Sequence, residues 1–158
     1  MDCRTAWRIA PTLVSALAGA IFSILPDVSA EPLARLYHDG RFIEEYHHAY
    51  STNIPVGTVT TMTFTVVNEG DQLLRLNPDG GAPCIQLGAD PWNAFEVTLQ
   101  PPVSNLAPGA STEFRIRHSP ANTNQVLVNA NFSYNGSDDQ DYDFVLLGRA
   151  HSSDVRVF

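Results

Sequence analysis

An all-β fold of two packed antiparallel sheets is predicted by three features of the sequence. From Leu33 onward apolar residues recur at period two, they do so in short runs, and Gly, Pro, Asn and Asp separate the runs. No stretch with helical spacing competes with this pattern. Seven to nine such strands, about eight on a direct reading, suit a sandwich better than a closed barrel because long proline-containing connections interrupt them.

The first thirty residues stand apart from this pattern. Arg4 and Arg8 give a positive start, Ile9 to Leu25 is almost wholly apolar, and Val28-Ser29-Ala30 places small residues at the cleavage positions of a secretory signal. The apolar run contains Pro11 and Gly19 and is closed by Pro26 and Asp27; it falls short of the roughly 20 residues that span a bilayer. Residues 1–30 are therefore expected to be a cleaved signal peptide. Residues 31–158 are expected to form a single domain, secreted or periplasmic, with no membrane span in the mature chain.

The chain has nine Lys plus Arg against seventeen Asp plus Glu, for a net charge of −8. Two bases and two acids leave with the signal, so the mature charge is unchanged, and all of its cations other than histidine are arginines. Such a field repels phosphate backbones and anionic lipid headgroups, which argues against nucleic acid or a membrane surface as partner. Cys3 falls in the signal, so Cys84 has no partner in the mature chain and is expected to sit in a strand as a small buried apolar residue.

The strands follow in order. Leu33 to Tyr37 and Arg41 to Tyr46 flank His38-Asp39-Gly40, where glycine supplies the positive φ of a tight turn. In Thr58 to Val67, Met62, Phe64 and Val66 point one way and Thr61, Thr63 and Thr65 the other; Asn68-Glu69-Gly70-Asp71 then turns the chain. Further strands are predicted at Leu73 to Asn77, Cys84 to Leu87, Phe95 to Gln100, Ser111 to His118, Gln125 to Tyr134 and Tyr142 to Arg149. Within Ser111 to His118, Phe114 and Ile116 should face the core and Glu113, Arg115 and Arg117 solvent. Pro101, Pro102 and Pro108-Gly109 donate no ladder hydrogen bonds and so mark a long connection.

Three segments together resemble a known family. Val56 to Leu76 (VGTVTTMTFTVVNEGDQLLRL) joins a Val-Gly turn, a Thr-rich strand, Asn-x-Gly and a Leu-rich strand; Ala94 to Pro120 carries Phe-x-Val, Leu-Ala-Pro-Gly and Ser-Thr-x-Phe; Phe132 to Ala150 ends in Leu-Leu-Gly. In this order they are similar to choice-of-anchor D domains, within the Hydin-like and major-sperm-protein-like immunoglobulin group. The resemblance runs from about Leu36 to Ala150. It implies an immunoglobulin-like sandwich, one module of a surface or secreted protein, with a structural or protein-binding role and no catalytic residues. The chain departs from the family in being one short domain without an anchoring tail after Ala150.

Several residue constellations bear on chemistry. Asp138, Asp139, Asp141 and Asp143 offer closely spaced carboxylates to a hard cation such as Ca²⁺, yet lack the glycine and closing Glu of an EF-hand, and Asp143 alternates as an outward strand residue. His38, His47 and His48 are of a type that ligates Zn²⁺ or Cu²⁺, but adjacent histidines on a strand point to opposite faces. No Ser lies in a recognisable nucleophile setting, so no enzyme is predicted. Gly80-Gly81 opens no phosphate-binding helix. Asn131 and Asn135 fit the glycosylation pattern, which matters only in a eukaryotic secretory pathway. The terminal aromatic Phe158 is a weak mark of an outer-membrane barrel. Trp92, between Pro91 and Asn93, is the partner-contact candidate, with Tyr37, Tyr46 and Tyr50 also in or beside loops.

The expected function is thus a non-enzymatic exported module with no cofactor. It would bind an as yet unidentified protein through end loops or an exposed strand edge. One alternative is a small periplasmic metal-binding protein using the acidic turn or the histidines. Another is a pilus-type chaperone, for which Arg115 and Arg117 are the available basic pair.

Overall fold

The alternating runs become strands close to the residues that the pattern marks. In a computed structural model, which describes residues 30–51, 53–80, 83–136 and 141–152, β1 is Ala34–His38, β2 Arg41–Ile43, β3 His48–Tyr50, β4 Ile54–Pro55 and β5 Thr60–Asn68. After these come β6 Leu74–Arg75, β7 Gln86–Leu87, β8 Phe95–Leu99, β9 Asn105–Leu106 and β10 Ser111–His118. The chain closes with β11 Val126–Ser133, β12 Asp141–Gly148 and β13 Ala150–His151. A five-stranded sheet in the order β2-β1-β5-β10-β8 faces a four-stranded sheet in the order β3-β12-β11-β7, and β13-β4 and β6-β9 form two-stranded additions. Among the described residues there is no helix, and so none long and apolar enough to cross a membrane. Residues 1–29, where the expected signal peptide falls, and Phe158 lie outside the described residues.

Period-two burial makes the core. Met62, Phe64 and Val66 on β5 and Phe114 and Ile116 on β10 are buried against Val126, Val128, Ala130 and Phe132 on β11 and Phe144 and Leu146 on β12. Glu113, Arg115 and Arg117 are exposed on the other face of β10, as the alternation requires. Phe64 lies opposite Phe114 across the β5–β10 ladder, with ring centroids 5.0 Å apart, and Phe144 of the other sheet stands 5.5 Å from the first and 6.2 Å from the second. A second stack, Phe132 on Tyr142 at 5.1 Å, extends the aromatic layer within the four-stranded sheet. Each fully buried phenylalanine contributes roughly 2–3 kcal/mol through removal of its surface from water, with more from ring geometry.

Asn68 is a polar residue built into this core. Asn68, fully buried at the end of β5, accepts from the backbone N–H of Gly70 (3.0 Å) and Leu33 (3.4 Å) and donates to the carbonyls of Gln72 (2.7 Å) and Leu106 (2.9 Å). Its amide is thereby fully used, and the turn of residues 68–71 is tied both to the chain before β1 and to β9. A side chain at Gly70 would place its Cβ 2.2 Å from the Glu31 carbonyl oxygen, so only glycine allows the two backbones to approach.

Three expectations are corrected. The strand starting at Arg41 ends at Ile43 instead of reaching Tyr46, because the His47 N–H bonds back to the Glu44 carbonyl (2.9 Å) and turns the chain toward the opposite sheet. It enters that sheet as β3, parallel to β12, and β4 likewise runs parallel to β13, so the sandwich is not wholly antiparallel. The strand placed at Leu73 to Asn77 contracts to the two residues of β6, which pair with β9 inside the proline-rich connection.

Removing the ring that joins the sheets tests this packing. Phe144→Ala should cost about 3–5 kcal/mol of unfolding free energy, the usual range for a buried phenylalanine, measured by urea denaturation with an unchanged m-value.

Candidate functional site

The tight turn predicted at Asp39-Gly40 is present, with φ values of 49° and 72°, and pairs His38 with Arg41. A groove of about 700 Å³ opens beside this hairpin, where the chain crosses from the edge of one sheet to the edge of the other. Asp39, Phe42, Glu44 and Tyr46 border it together with His38, His47 and His48. A smaller depression of about 310 Å³ lies on the far side of Phe42, Glu44 and His47 and reaches Tyr134 and Tyr142.

Tyr46 is the unusual member of this set. Its φ is +61°, its ring is 65% exposed, and its N–H bonds to the Asp143 carbonyl at 2.7 Å. The other described non-glycine residues with positive φ are Asp39, Asn77 and Asn93, types that tolerate the left-handed region. For tyrosine that backbone costs about 1–2 kcal/mol. Beside it Phe42 is 41% exposed, with the Arg35 guanidinium 4.8 Å from its ring centre and Tyr37 at 5.8 Å. Tyr37 donates to Glu69 at 2.5 Å, and that hydrogen bond, with burial and the carboxylate charge, raises its hydroxyl pKa. Tyr142 donates to the Ile43 carbonyl, and burial pushes its pKa up to about 12. Both phenols therefore stay protonated near neutrality.

The three histidines border one groove. His47 precedes β3 and His48 opens it. Each ring has local work. His38 donates through Nδ1 to the Thr63 carbonyl (2.9 Å) and stacks on Phe64; His47 donates to the Glu45 carbonyl (3.1 Å) with its Nε2 3.7 Å from Glu44. Among the described residues no three His, Cys, Asp or Glu side chains come together so as to hold a metal ion. Asp141 is exposed at the start of β12 and Asp143 is half-buried two residues on. Asp138 and Asp139 lie outside the described residues, as do Gly81 and the rest of the segment 137–140 between β11 and β12.

Trp92 lies away from both depressions, 46% exposed in the loop before β8. Tyr50 is the last residue of β3. Arg117 pairs with Glu96 on the outer face of the five-stranded sheet, where Arg115 also lies, so the two form no basic cleft. Asn135 is tied by its side chain to Arg75 N–H (2.6 Å) and the Leu73 carbonyl (3.0 Å), bonds that a glycan there would disturb.

Sequence reasoning missed Ser51 and His118. Ser51 Oγ and His118 Nδ1 are 3.0 Å apart, but both residues are buried and the hydroxyl also donates to the Leu147 carbonyl (3.3 Å). The pair joins the two sheets from inside. The parity of β10, which puts Phe114 and Ile116 inward, points His118 inward as well and was the available signal. Cys84 is half-buried against the core just before β7, not within a strand, and burial pushes its thiol pKa up to about 11.

No protein-family model matches the chain, and no curated protein matches it in sequence. Among solved structures it is similar to a protein of unknown function from Porphyromonas gingivalis W83, at 16% identity and a TM-score of 0.54 over 80% of this chain and 51% of that one. It is also similar to the ASH/PapD-like domain 7 of human CEP192, at 10% identity and a TM-score of 0.51 over 97% of this chain and 99% of that domain. A third likeness is to the secreted serine protease VesC from Vibrio cholerae, at 14% identity and a TM-score of 0.50 over 73% of this chain and 23% of the protease. The chain thus spans about half the length of the Porphyromonas protein. At these identities the likenesses show the fold alone, an immunoglobulin-like β-sandwich.

The state of Cys84 is open to direct measurement. A thiol with a pKa near 11 holds about one thiolate per thousand molecules at pH 8. Iodoacetamide should therefore modify the Cys84 peptide, followed by mass spectrometry, about a hundredfold more slowly in the native protein than in urea.

Proposed function

We propose that this chain is an exported, non-enzymatic immunoglobulin-like module that binds another protein through the groove beside the β1–β2 hairpin. The observation that carries the reading is Tyr46, an exposed aromatic ring held at the rim of a groove by a backbone conformation that costs stability. Strain of this kind persists where function retains it, and exposed aromatic rings are frequent anchors at protein interfaces. Phe42 supplies a second ring on the same rim. The signal-like N-terminus supports export, the charge of −8 argues against nucleic acid and anionic lipid, and the resemblance to choice-of-anchor D domains supports a structural or protein-binding role. The histidines on the groove give a metal-binding reading a specific alternative test.

Tyr46→Gly separates function from stability. The variant should melt at the same temperature as the wild type or higher, since glycine accepts the left-handed backbone. A photo-crosslinking residue placed at Phe42 should capture a discrete partner in cells producing the wild type, and lose it when Tyr46→Gly is added. Capture that is equally strong from Glu113, on the outer face of the five-stranded sheet, would overturn the assignment of the groove. A melting temperature raised by Zn²⁺ or Cu²⁺ and insensitive to protein partners would favour the metal reading.

A further inference from the structure

His118 is fully buried at the end of β10, and its two ring nitrogens have unequal surroundings. Because the Ser51 hydroxyl donates to the Leu147 carbonyl, its oxygen accepts from His118 Nδ1–H, which fixes the neutral Nδ1–H tautomer. Nε2 has no hydrogen-bond partner among the described residues and faces Gly148; a Cβ on that glycine would lie 2.6 Å from it. The ring face stacks on Phe95 at 4.8 Å. Phe95 in turn carries the loop that presents Trp92: Asp90 accepts from the N–H groups of Phe95 (2.7 Å) and Trp92 (3.1 Å), and Ser119, next to His118, bonds the Ala94 carbonyl (2.7 Å).

We propose that His118 is an acid-operated link in which uptake of a proton at Nε2 separates the two sheets locally and releases the Trp92 loop. The proton comes from solvent and would create a charged N–H donor pressed against the Gly148 backbone with no acceptor. The cation is satisfied only when the ring leaves its place, which breaks the Ser51 bond and the Phe95 stack together. The groups around the ring do not relieve this. Thr60 on β5, Phe95 on β8, Val126 on β11, Leu147 and Gly148 on β12 and Ser51 after β3 do not titrate; Arg117, next to His118 in the chain, and Arg149, next to Gly148, are exposed, and Arg117 is paired with Glu96. Burial lowers the His118 pKa below 6.5, and the Asp90 carboxylate offsets this only in part.

The sign follows by linkage. Above pH 6.5 both the folded and the unfolded ring are neutral, and the contribution to stability is complete. As pH falls through 6.5 toward the lower folded value, the unfolded chain binds a proton that the folded chain refuses, and stability is lost. The overall charge acts the other way, since acidification toward the pI of about 4.8 reduces self-repulsion.

The test follows melting temperature from pH 7.5 to 5 for the full chain and for His118→Asn, whose amide can still donate toward Ser51. The wild type should lose several degrees relative to the variant over this range, whatever the variant's starting stability. In a Trp7→Phe background, where Trp92 alone emits, quenching of Trp92 by acrylamide should rise with acid in the wild type and stay flat in His118→Asn. NMR of the wild-type ring provides a measurement that needs no His118 variant, and there His118 should titrate below 6.5. Equal pH slopes in both proteins, a Trp92 signal indifferent to pH, or a folded His118 titrating at or above 6.5 would each overturn the proposal.

Discussion

The contact of Phe144 with the Phe64–Phe114 pair is the interaction on which the rest of the structure depends. Cys84, the one cysteine among the described residues, is unpaired, so no covalent bridge there holds the sheets together. Cohesion rests on burial, and the aromatic layer is where three long strands, β5, β10 and β12, meet. The short strands are held by attachment to this block: β6 and β9 through Asn68, the Asn135 side chain and the bridge from Leu76 to Tyr134, β3 and β7 through two or three ladder residues each. A stable centre with lightly attached margins leaves the margins free to vary in geometry without threatening the fold.

That division explains where unusual backbone is found. The crossing from β2 to β3 joins the edges of two sheets in a few residues, and its turn puts Tyr46 into a conformation that tyrosine resists. The segment is anchored at both ends by bonds to β12, from Tyr46 N–H to Asp143 and from Ser51 N–H to Leu147. The strain is therefore held by the aromatic block and spent at the rim of a groove, where it fixes the ring's exit direction.

Much of the fold was legible because period-two burial is a local property. The span Ser111 to His118 was read to the residue, and β5, β8, β11 and β12 within a residue or two. What escaped reading depends on distant partners. His48 to Tyr50 is too short to show alternation and becomes a strand only because β12 lies beside it in parallel. Tyr46's left-handed backbone has no sequence signature, since neither glycine nor asparagine marks it. Of the site, Trp92, Tyr46 and the histidines were singled out by residue type alone, whereas their division between a groove and a separate loop came from the chain crossing. His118 was readable from the parity of β10, but its partner Ser51, 67 residues away, was not.

The hydrogen bond from His38 to the Thr63 carbonyl also bears on how the sandwich keeps to itself. β1 pairs with β5 only from Phe64 to Asn68, so among the described residues Thr60 to Thr63 have β10 on one flank and no strand ladder on the other. Such an open flank is a template on which another chain can add a strand. The imidazole occupies the Thr63 acceptor at the point where the protecting strand stops, and its stacking on Phe64 holds it there. His38 thus fills, with a side chain, the acceptor position that the backbone of a longer hairpin would otherwise take.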